Sequence, residues 1–598
     1  MHTSRPELAG TFGMVASTHW LASQTGMSVL ERGGNAFDAA AAAGFVLQVV
    51  EPHMCGPAGD LPVLVWSEAE QAVHVVCGQG PAPQAASSAA FTDLGLTAVP
   101  GTGLLAAPVP GAFGGWTLML QRWGTWRLRD VLGPAIGYAR DGAPVLPKAS
   151  QAIAGVARLF REEWTTSAAT YLDDADRAPM PWSRLRLTGV ADTYERVVAE
   201  AESVGGGRDA ELEAARDAWY RGFVAEAVDA FCRNTSWLDT SGERHSGLLT
   251  GEDLARWQPT VEEPARARYR DVEVCKTGPW GQGPVLLQQL RLLDRLGLPD
   301  ALEAADPSWV HVALEVMKLA FADRDAWYGD PAHTQVPLAE LLSDDYTQER
   351  AALVGPEASR EQRPGRPGGR EPHFPGGSLG PGVPVAGAGE PGAMLSALGR
   401  VPGDTVHLDV IDRWGNVVSA MPSGAWLQSS PVVPALGFPL GTRCQMFWLE
   451  PGLPSSLTPG ARPRTTLSPS LALRDGAPWL AFGSPGGDQQ DQWGLMLVLR
   501  AVHGPRGVAQ ALQAAIDAPM LHSEHQVSSF YPRVSRPCVA VLEDRWPAST
   551  VAQLRRLGHD VEVVDGSMQS RLAAVSRDGE WLRAAADSRG SQSYAVGR

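Results

Sequence analysis

The chain has 598 residues, 66 of them acidic and 50 basic, for a formal net charge of −16. That balance, with no basic stripe to offset it, argues against nucleic acid as the main partner. No stretch runs long enough without charged or turn residues to span a bilayer, so the apolar segments belong to a core and no membrane partner is expected. Met1-His2-Thr3-Ser4-Arg5-Pro6-Glu7-Leu8 lacks the apolar run of a signal peptide, and a cytoplasmic location is expected. Cys55, Cys77, Cys232, Cys275, Cys444 and Cys538 show no CxxC spacing, which disfavours zinc and fits reduced thiols. Asn234-Thr235-Ser236 has the form of a glycosylation acceptor, read here as chance because no secretion signal precedes it.

In chain order, periodicity predicts helices over 21–32 and 36–50, then a buried strand over 62–66 after the loop Gly56-Pro57-Ala58-Gly59. A further helix is predicted over 309–326. Residues 355–403 are dense in Gly, Pro and Arg without periodicity, and are read as a mobile linker. A hairpin follows, with strands 406–411 and 417–421 about the turn Arg413-Trp414-Gly415-Asn416. Short strands are expected at 471–473, 479–482, 539–542 and 572–575, and helices near 492–502 and 508–516.

The junction Gly403-Asp404-Thr405-Val406-His407-Leu408-Asp409-Val410 carries the most information. Alternation puts Val406, Leu408 and Val410 on one face and Thr405 and His407 on the other. If the Asp404–Thr405 bond broke, the freed α-amine of Thr405 would sit beside its own hydroxyl as a built-in general base, the chemistry of an N-terminal-nucleophile hydrolase. A lone threonine in such a pattern is otherwise an ordinary strand residue. Its neighbours along the whole chain decide between the two.

Gly13-Met14-Val15-Ala16-Ser17-Thr18-His19, Gly33-Gly34-Asn35-Ala36-Phe37-Asp38-Ala39-Ala40, Val50-Glu51-Pro52-His53, the run from Met317 to Arg324, Gly329-Asp330-Pro331, the run from Arg462 to Ser470 and Gly483-Ser484-Pro485-Gly486-Gly487 occur in that order. Together they resemble the γ-glutamyltranspeptidase family over nearly the whole chain. The resemblance implies an α+β fold, a four-layer αββα sandwich. It implies a proenzyme that cuts itself between Asp404 and Thr405 into a large piece, 1–404, and a small piece, 405–598, which stay associated. It assigns Thr405 as nucleophile, Gly486 and Gly487 as oxyanion donors and Ser423 as a second hydroxyl beside the threonine. His407 matches a family histidine, for which packing or a structural hydrogen bond is expected.

The substrate positions depart from the γ-glutamyl pattern. Gln79 stands where the family's carboxylate-binding arginine would be, Ala425 replaces an asparagine, Trp448 replaces an acidic residue, and the paired serines become Thr465 and Thr466. Losing a guanidinium and a carboxylate removes two charge-assisted contacts of roughly 1.5–3 kcal/mol each. The expected activity is therefore amide hydrolysis or acyl transfer on a small molecule with an altered acyl group. The alternatives are a genuine γ-glutamyltransferase or glutathione hydrolase, with the missing arginine supplied by Arg462, Arg464 or Arg443, and a non-catalytic protein on the same scaffold. No GxSxG elbow or dinucleotide-binding GxGxxG in a strand-to-helix setting, no P-loop and no HExxH helix is seen, and no metal or organic cofactor is implied.

Overall fold

The computed structural model describes residues 3–375, 405–504, 511–566 and 569–598. Its main strands are β1 (Leu8–Gly10), β2 (Gly13–Ser17), β3 (Leu61–Ser67), β4 (Ala72–Gly78), β5 (Thr260–Glu262), β6 (Ala265–Tyr269), β7 (Val272–Lys276), β8 (Leu408–Asp412), β9 (Val417–Ala420), β10 (Ser470–Arg474), β11 (Ala477–Gly483), β12 (Ala573–Asp578), β13 (Trp581–Ala586) and β14 (Tyr594–Gly597). They form two seven-stranded antiparallel sheets, ordered β14–β2–β8–β9–β3–β4–β5 and β1–β13–β12–β11–β10–β7–β6. Each sheet interleaves strands from before residue 376 with strands from after 404.

One apolar cluster joins the sheets, with Met14, Leu64, Trp66 and Val75 of the first against Leu471, Ala481, Val575 and Leu582 of the second. The other faces meet helices. Val15, Leu408 and Val410 pack with Phe45 and Leu47 of α2 (Ala36–Val50), which lies beside α1 (Trp20–Glu31). On the second sheet, Val274, Ala472 and Phe482 pack with residues of α4 (Pro284–Leu296), α5 (Pro307–Trp327) and α6 (Gln490–His503). A further helix, α3 (Pro147–Glu162), lies between α2 and α4 in the chain. Helix α2 begins with a capping box, Asn35 accepting from the Asp38 amide while Asp38 accepts from the Asn35 amide, and all fifteen of its residues are buried. Such an alanine-rich helix packs closely: a Cβ at Gly44 would fall 2.2 Å from the Trp116 ring.

Most expected elements appear within a few residues of their predicted ends. The alternation in 406–410 holds as well, but its second face meets the other sheet instead of water, so β8 is buried throughout. Residues 376–404 and 505–510, which include part of the linker, Asp404 and the start of the helix expected at 508, lie outside the described residues. The stretch read as a linker from 355 onward is described as far as residue 375. That stretch is irregular but tied down, with Ser359 N–H donating to Glu315, Gly365 N–H donating to Asp323 at 2.8 Å and the Trp327 indole donating to the Gly365 carbonyl at 3.1 Å. Among the described residues no helix is long and apolar enough to cross a membrane.

Register brings the chemistry to one end of both sheets. Leu408 lies opposite Ser17 and Ala420, and Leu61 opposite Gly78, so Thr18, Thr405, Pro422, Asp60 and Gln79 emerge together. In the second sheet Gly483 lies opposite Ala573, and Ala573 opposite Ala586. The sheets touch here, since a Cβ on Gly483 would lie 2.6 Å from the His407 ring.

Candidate active site

Thr405 is 2% exposed, and its hydroxyl lies 3.3 Å from that of Ser423. The two residues form an isolated antiparallel bridge just before β8 and just after β9. His407 points away from the threonine hydroxyl: its Nε2 meets Asp409 at 2.7 Å, both side chains being fully buried, while its carbonyl accepts from Thr18 N–H at 3.1 Å. Burial raises the Asp409 pKa, opposed by the His407 and Ser419 contacts. This is the structural hydrogen bond expected of His407.

The chain turns sharply after Ser423. Gly424 has φ +78° and Ala425 φ +51°, so an alanine occupies a left-handed position that an asparagine would tolerate better, at a cost of roughly 1 kcal/mol. Gly486 has φ +145°, and a methyl group there would sit 2.2 Å from the Trp493 ring. Gly487 follows at φ +54°. This turn offers two successive backbone N–H groups with no side chain beside them, the requirement for an oxyanion donor pair.

The turn is braced by groups that sequence reasoning did not single out. Gln282 donates to the Gly487 carbonyl at 3.2 Å, and Arg324 holds both Gln282 and Asp488. Burial alone would raise the Asp488 pKa, but Arg324, two bonds from Ser529 and Arg464 bring it below the usual carboxylate range. Arg324, which ends the motif that begins at Met317, thus anchors Asp488, the residue after the second glycine. Arg324→Met would leave the Asp488 charge buried with too few partners, and a stability loss of about 3–5 kcal/mol is expected by chemical denaturation.

The substrate positions divide into two groups. Gln79 is fully buried, and neither amide atom has a hydrogen-bond partner among the described residues. Thr466 Oγ is likewise buried and unpartnered, whereas the Thr465 hydroxyl accepts from Leu467 N–H at 3.2 Å. The Trp448 ring packs with Leu453 and Val527, and the Arg533 guanidinium stacks on it at 4.1 Å. Of the three candidate replacement arginines, Arg462 is held by Asp330 and Glu262, and Arg464 by Asp325 and Ser529. Arg443 differs. Its Nε donates to Asp60 at 2.5 Å while Nη2 is buried without a hydrogen-bond partner among the described residues. Asp60 in turn exchanges backbone hydrogen bonds with Ser423, so this guanidinium is two side chains from Thr405.

Among the described residues the donor atoms of His311, Glu315 and His559 converge closely enough to suggest a metal site. They are already engaged. The imidazoles bond each other at 2.9 Å, and Lys318 and Arg363 neutralise Glu315.

A sequence model of the gamma-glutamyltranspeptidase family matches residues 22–597, and the chain belongs to that family. It is an enzyme of the family's amidohydrolase and acyltransferase kind. It is similar to the glutathione hydrolase proenzyme of Bacillus subtilis (strain 168), with 28% identity covering 92% of this chain and 85% of the relative. It is also similar to the oxamate amidohydrolase proenzyme of Klebsiella pneumoniae, at 30% identity over 94% of this chain and 93% of the relative. Among solved structures, that of LmbA2991HD superposes with a TM-score of 0.93 at 52% identity, covering all of both chains.

Proposed function

We propose that the chain matures by cutting itself between Asp404 and Thr405, and that the new N-terminal threonine then cleaves a small amide whose acyl group carries hydrogen-bond acceptors but no ammonium. In maturation, Thr405 Oγ attacks the Asp404 carbonyl carbon, the C–N bond breaks to give an ester and a free α-amine, and water hydrolyses the ester. In turnover, that α-amine accepts the hydroxyl proton as Oγ attacks the substrate carbonyl. The oxyanion forms against the N–H groups of Gly486 and Gly487, the proton passes to the departing amine, and water or a second amine releases the acyl group. Ser423 hydrogen-bonds the nucleophile. The two facing sheets with helices on their outer sides support a four-layer αββα arrangement. Six buried free thiols support a reducing, cytoplasmic setting.

The pairing of Asp60 with Arg443 carries the acyl assignment. Asp60, whose backbone pairs with Ser423 beside the threonine, is already neutralised by a guanidinium, while the Nη2 of that guanidinium, the Gln79 amide and the Thr466 hydroxyl lack hydrogen-bond partners among the described residues. A carboxylate or carbonyl would satisfy those groups, but an ammonium would meet Asp60 already paired with Arg443 and would be costly to bury. The test is steady-state assay of matured protein on γ-glutamyl, glutaryl, oxamoyl and simple acyl amides. The γ-glutamyl amide should be among the poorest. A γ-glutamyl kcat/KM of roughly 10⁴ M⁻¹s⁻¹ or more, above all the others, would overturn the assignment in favour of a true γ-glutamyltransferase.

Gln79→Leu gives a second check. Removing two unpartnered buried polar atoms should leave the unfolding temperature unchanged or higher, while kcat/KM for the preferred substrate falls roughly 10-fold through loss of hydrogen bonds. An unchanged kcat/KM would place Gln79 outside the substrate's reach.

A further inference from the structure

Three buried polar side chains meet where β7 ends and α6 begins, and the mechanism above uses none of them. Lys276, the last residue of β7, is 1% exposed. Its ammonium donates to the Ser470 hydroxyl at 2.7 Å and to the Ser468 carbonyl at 3.0 Å, and it pairs with the Asp491 carboxylate at 3.0 Å. Three contacts match its three protons, so the ammonium is fixed in direction as well as in place. Asp491, in the first turn of α6, accepts from the Ser468 hydroxyl at 2.7 Å through the same oxygen. Its neighbour Gln490 accepts from Ser468 N–H at 3.0 Å. Every polar group of Ser468 is therefore held by Lys276, Asp491 or Gln490.

The segment that ends at Ser468 is tied at its other end as well. Thr465 N–H donates to the Trp280 carbonyl at 2.9 Å, and the Thr465 carbonyl accepts from Gln282 N–H at 2.9 Å. The Gln282 side chain donates to the Gly487 carbonyl, so one residue joins Thr465 to the double glycine. Between the two anchors stands Thr466, whose buried hydroxyl has no hydrogen-bond partner among the described residues. The contacts also reach the strand of the nucleophile. Ser470 N–H donates to Ser419 Oγ at 3.3 Å, the Ser419 hydroxyl contacts Asp409, and Asp409 holds His407, two residues from Thr405. From Asp491 through Lys276 to His407 every member is buried, and the path crosses from the second sheet into the first.

Residues 465–468 belong to no helix or strand, so no ladder sets the direction of the Thr466 side chain; the anchors on either side of it do. We propose that Lys276 is a positioning residue for acyl recognition: through Ser468, Ser470 and Asp491 its ammonium fixes the segment that presents the Thr466 hydroxyl to the acyl group. The proposal rests on the amide-cleaving reading above. When Lys276 is lost, the turn at Gly486 and Gly487 keeps Gln282 and the Arg324–Asp488 pair, so the loss falls on acyl binding and not on the oxyanion.

Glutarate binding to the self-cut protein, measured by titration calorimetry, reads the contact without catalysis, and kinetics on glutaryl and pentanoyl 4-nitroanilides read it in turnover. Lys276→Met should weaken glutarate about 10-fold. It should raise the KM of the glutaryl amide about as much, with kcat within about 3-fold, and lower the preference for glutaryl over pentanoyl, whose chain offers Thr466 no acceptor. Thr466→Val should act alike, and adding Lys276→Met to it should cost nothing further. Because Lys276→Met strands the buried Asp491 carboxylate, Ser468→Ala, which keeps the ion pair, is the milder variant and should show the same split at about 3-fold. If Lys276→Met does not fold, Ser468→Ala with and without Thr466→Val decides. A fall in kcat with KM unchanged, as loss of active protein would give, a penalty that persists in Thr466→Val protein, or glutarate affinity that neither variant lowers would each overturn the assignment. The predicted glutarate pattern in self-cut protein that cleaves neither amide would uphold the positioning role and reject the amide-cleaving reading.

Discussion

Thr405→Ala should accumulate as one full-length chain and lose at least about 10⁴-fold in turnover, because in the proposed mechanism the hydroxyl that opens the Asp404–Thr405 bond is also the one that attacks substrate. Two effects coincide in one atom. Without the Oγ there is no N-to-O shift, and without the shift there is no α-amine to act as base. Thr405→Ser keeps both and should still divide into two pieces, the smaller beginning at residue 405. Denaturing electrophoresis with mass spectrometry reads the result without any knowledge of substrate. If Thr405→Ala still splits at that bond, the processing nucleophile is another group.

The second large effect is expected at the double glycine. Valine at Gly487 is β-branched and would be forced to φ near +54°, a region that costs an L residue roughly 1–2 kcal/mol. The turn should relax by rotating the peptide, which moves a donor away from the oxyanion and lowers kcat by about 10²–10³. Gln282 and the Arg324–Asp488 pair hold the surrounding turn, so most of the fold should survive. Gly486→Ala is the harsher change, since its methyl group meets the Trp493 ring at 2.2 Å, and it should reduce the yield of folded protein as well as its rate. Unchanged turnover in folded Gly487→Val protein would reduce the motif to a tight turn.

The parts of this site that were legible in the sequence are those with a local signature. Thr405 stands where a Gly/Pro-rich run becomes an alternating strand, Gly486 and Gly487 close a strand with a turn, and Gln79 falls just beyond β4. The groups that escaped sequence reading are pairings between distant segments. Asp60 and Arg443 are 383 positions apart and Arg324 and Asp488 164, and nothing in the local pattern of either partner announces the other. The same blindness explains residues 355–375. Their composition gives no periodicity, and nothing in it announces the contacts with Asp323, Glu315 and Trp327. Trp448 has surroundings that its motif could not supply: its indole fills a satellite cluster under Arg533. The core was readable because α2 and β8 carry their periods plainly. That both faces of β8 are buried was not, since alternation alone cannot say what lies on the far side.

The interleaving of the two sheets also decides how a cut molecule comes apart. β8 and β9 of the smaller piece lie between β2 and β3 of the larger, and β1 of the larger pairs with β13 of the smaller. Separation would therefore tear every one of these ladders at once, so the pieces should co-purify and melt in a single transition. Cutting nevertheless changes the molecularity of unfolding: one folded particle becomes two strangers in solution. The melting midpoint of the matured protein should accordingly climb with protein concentration, whereas that of uncut Thr405→Ala should not.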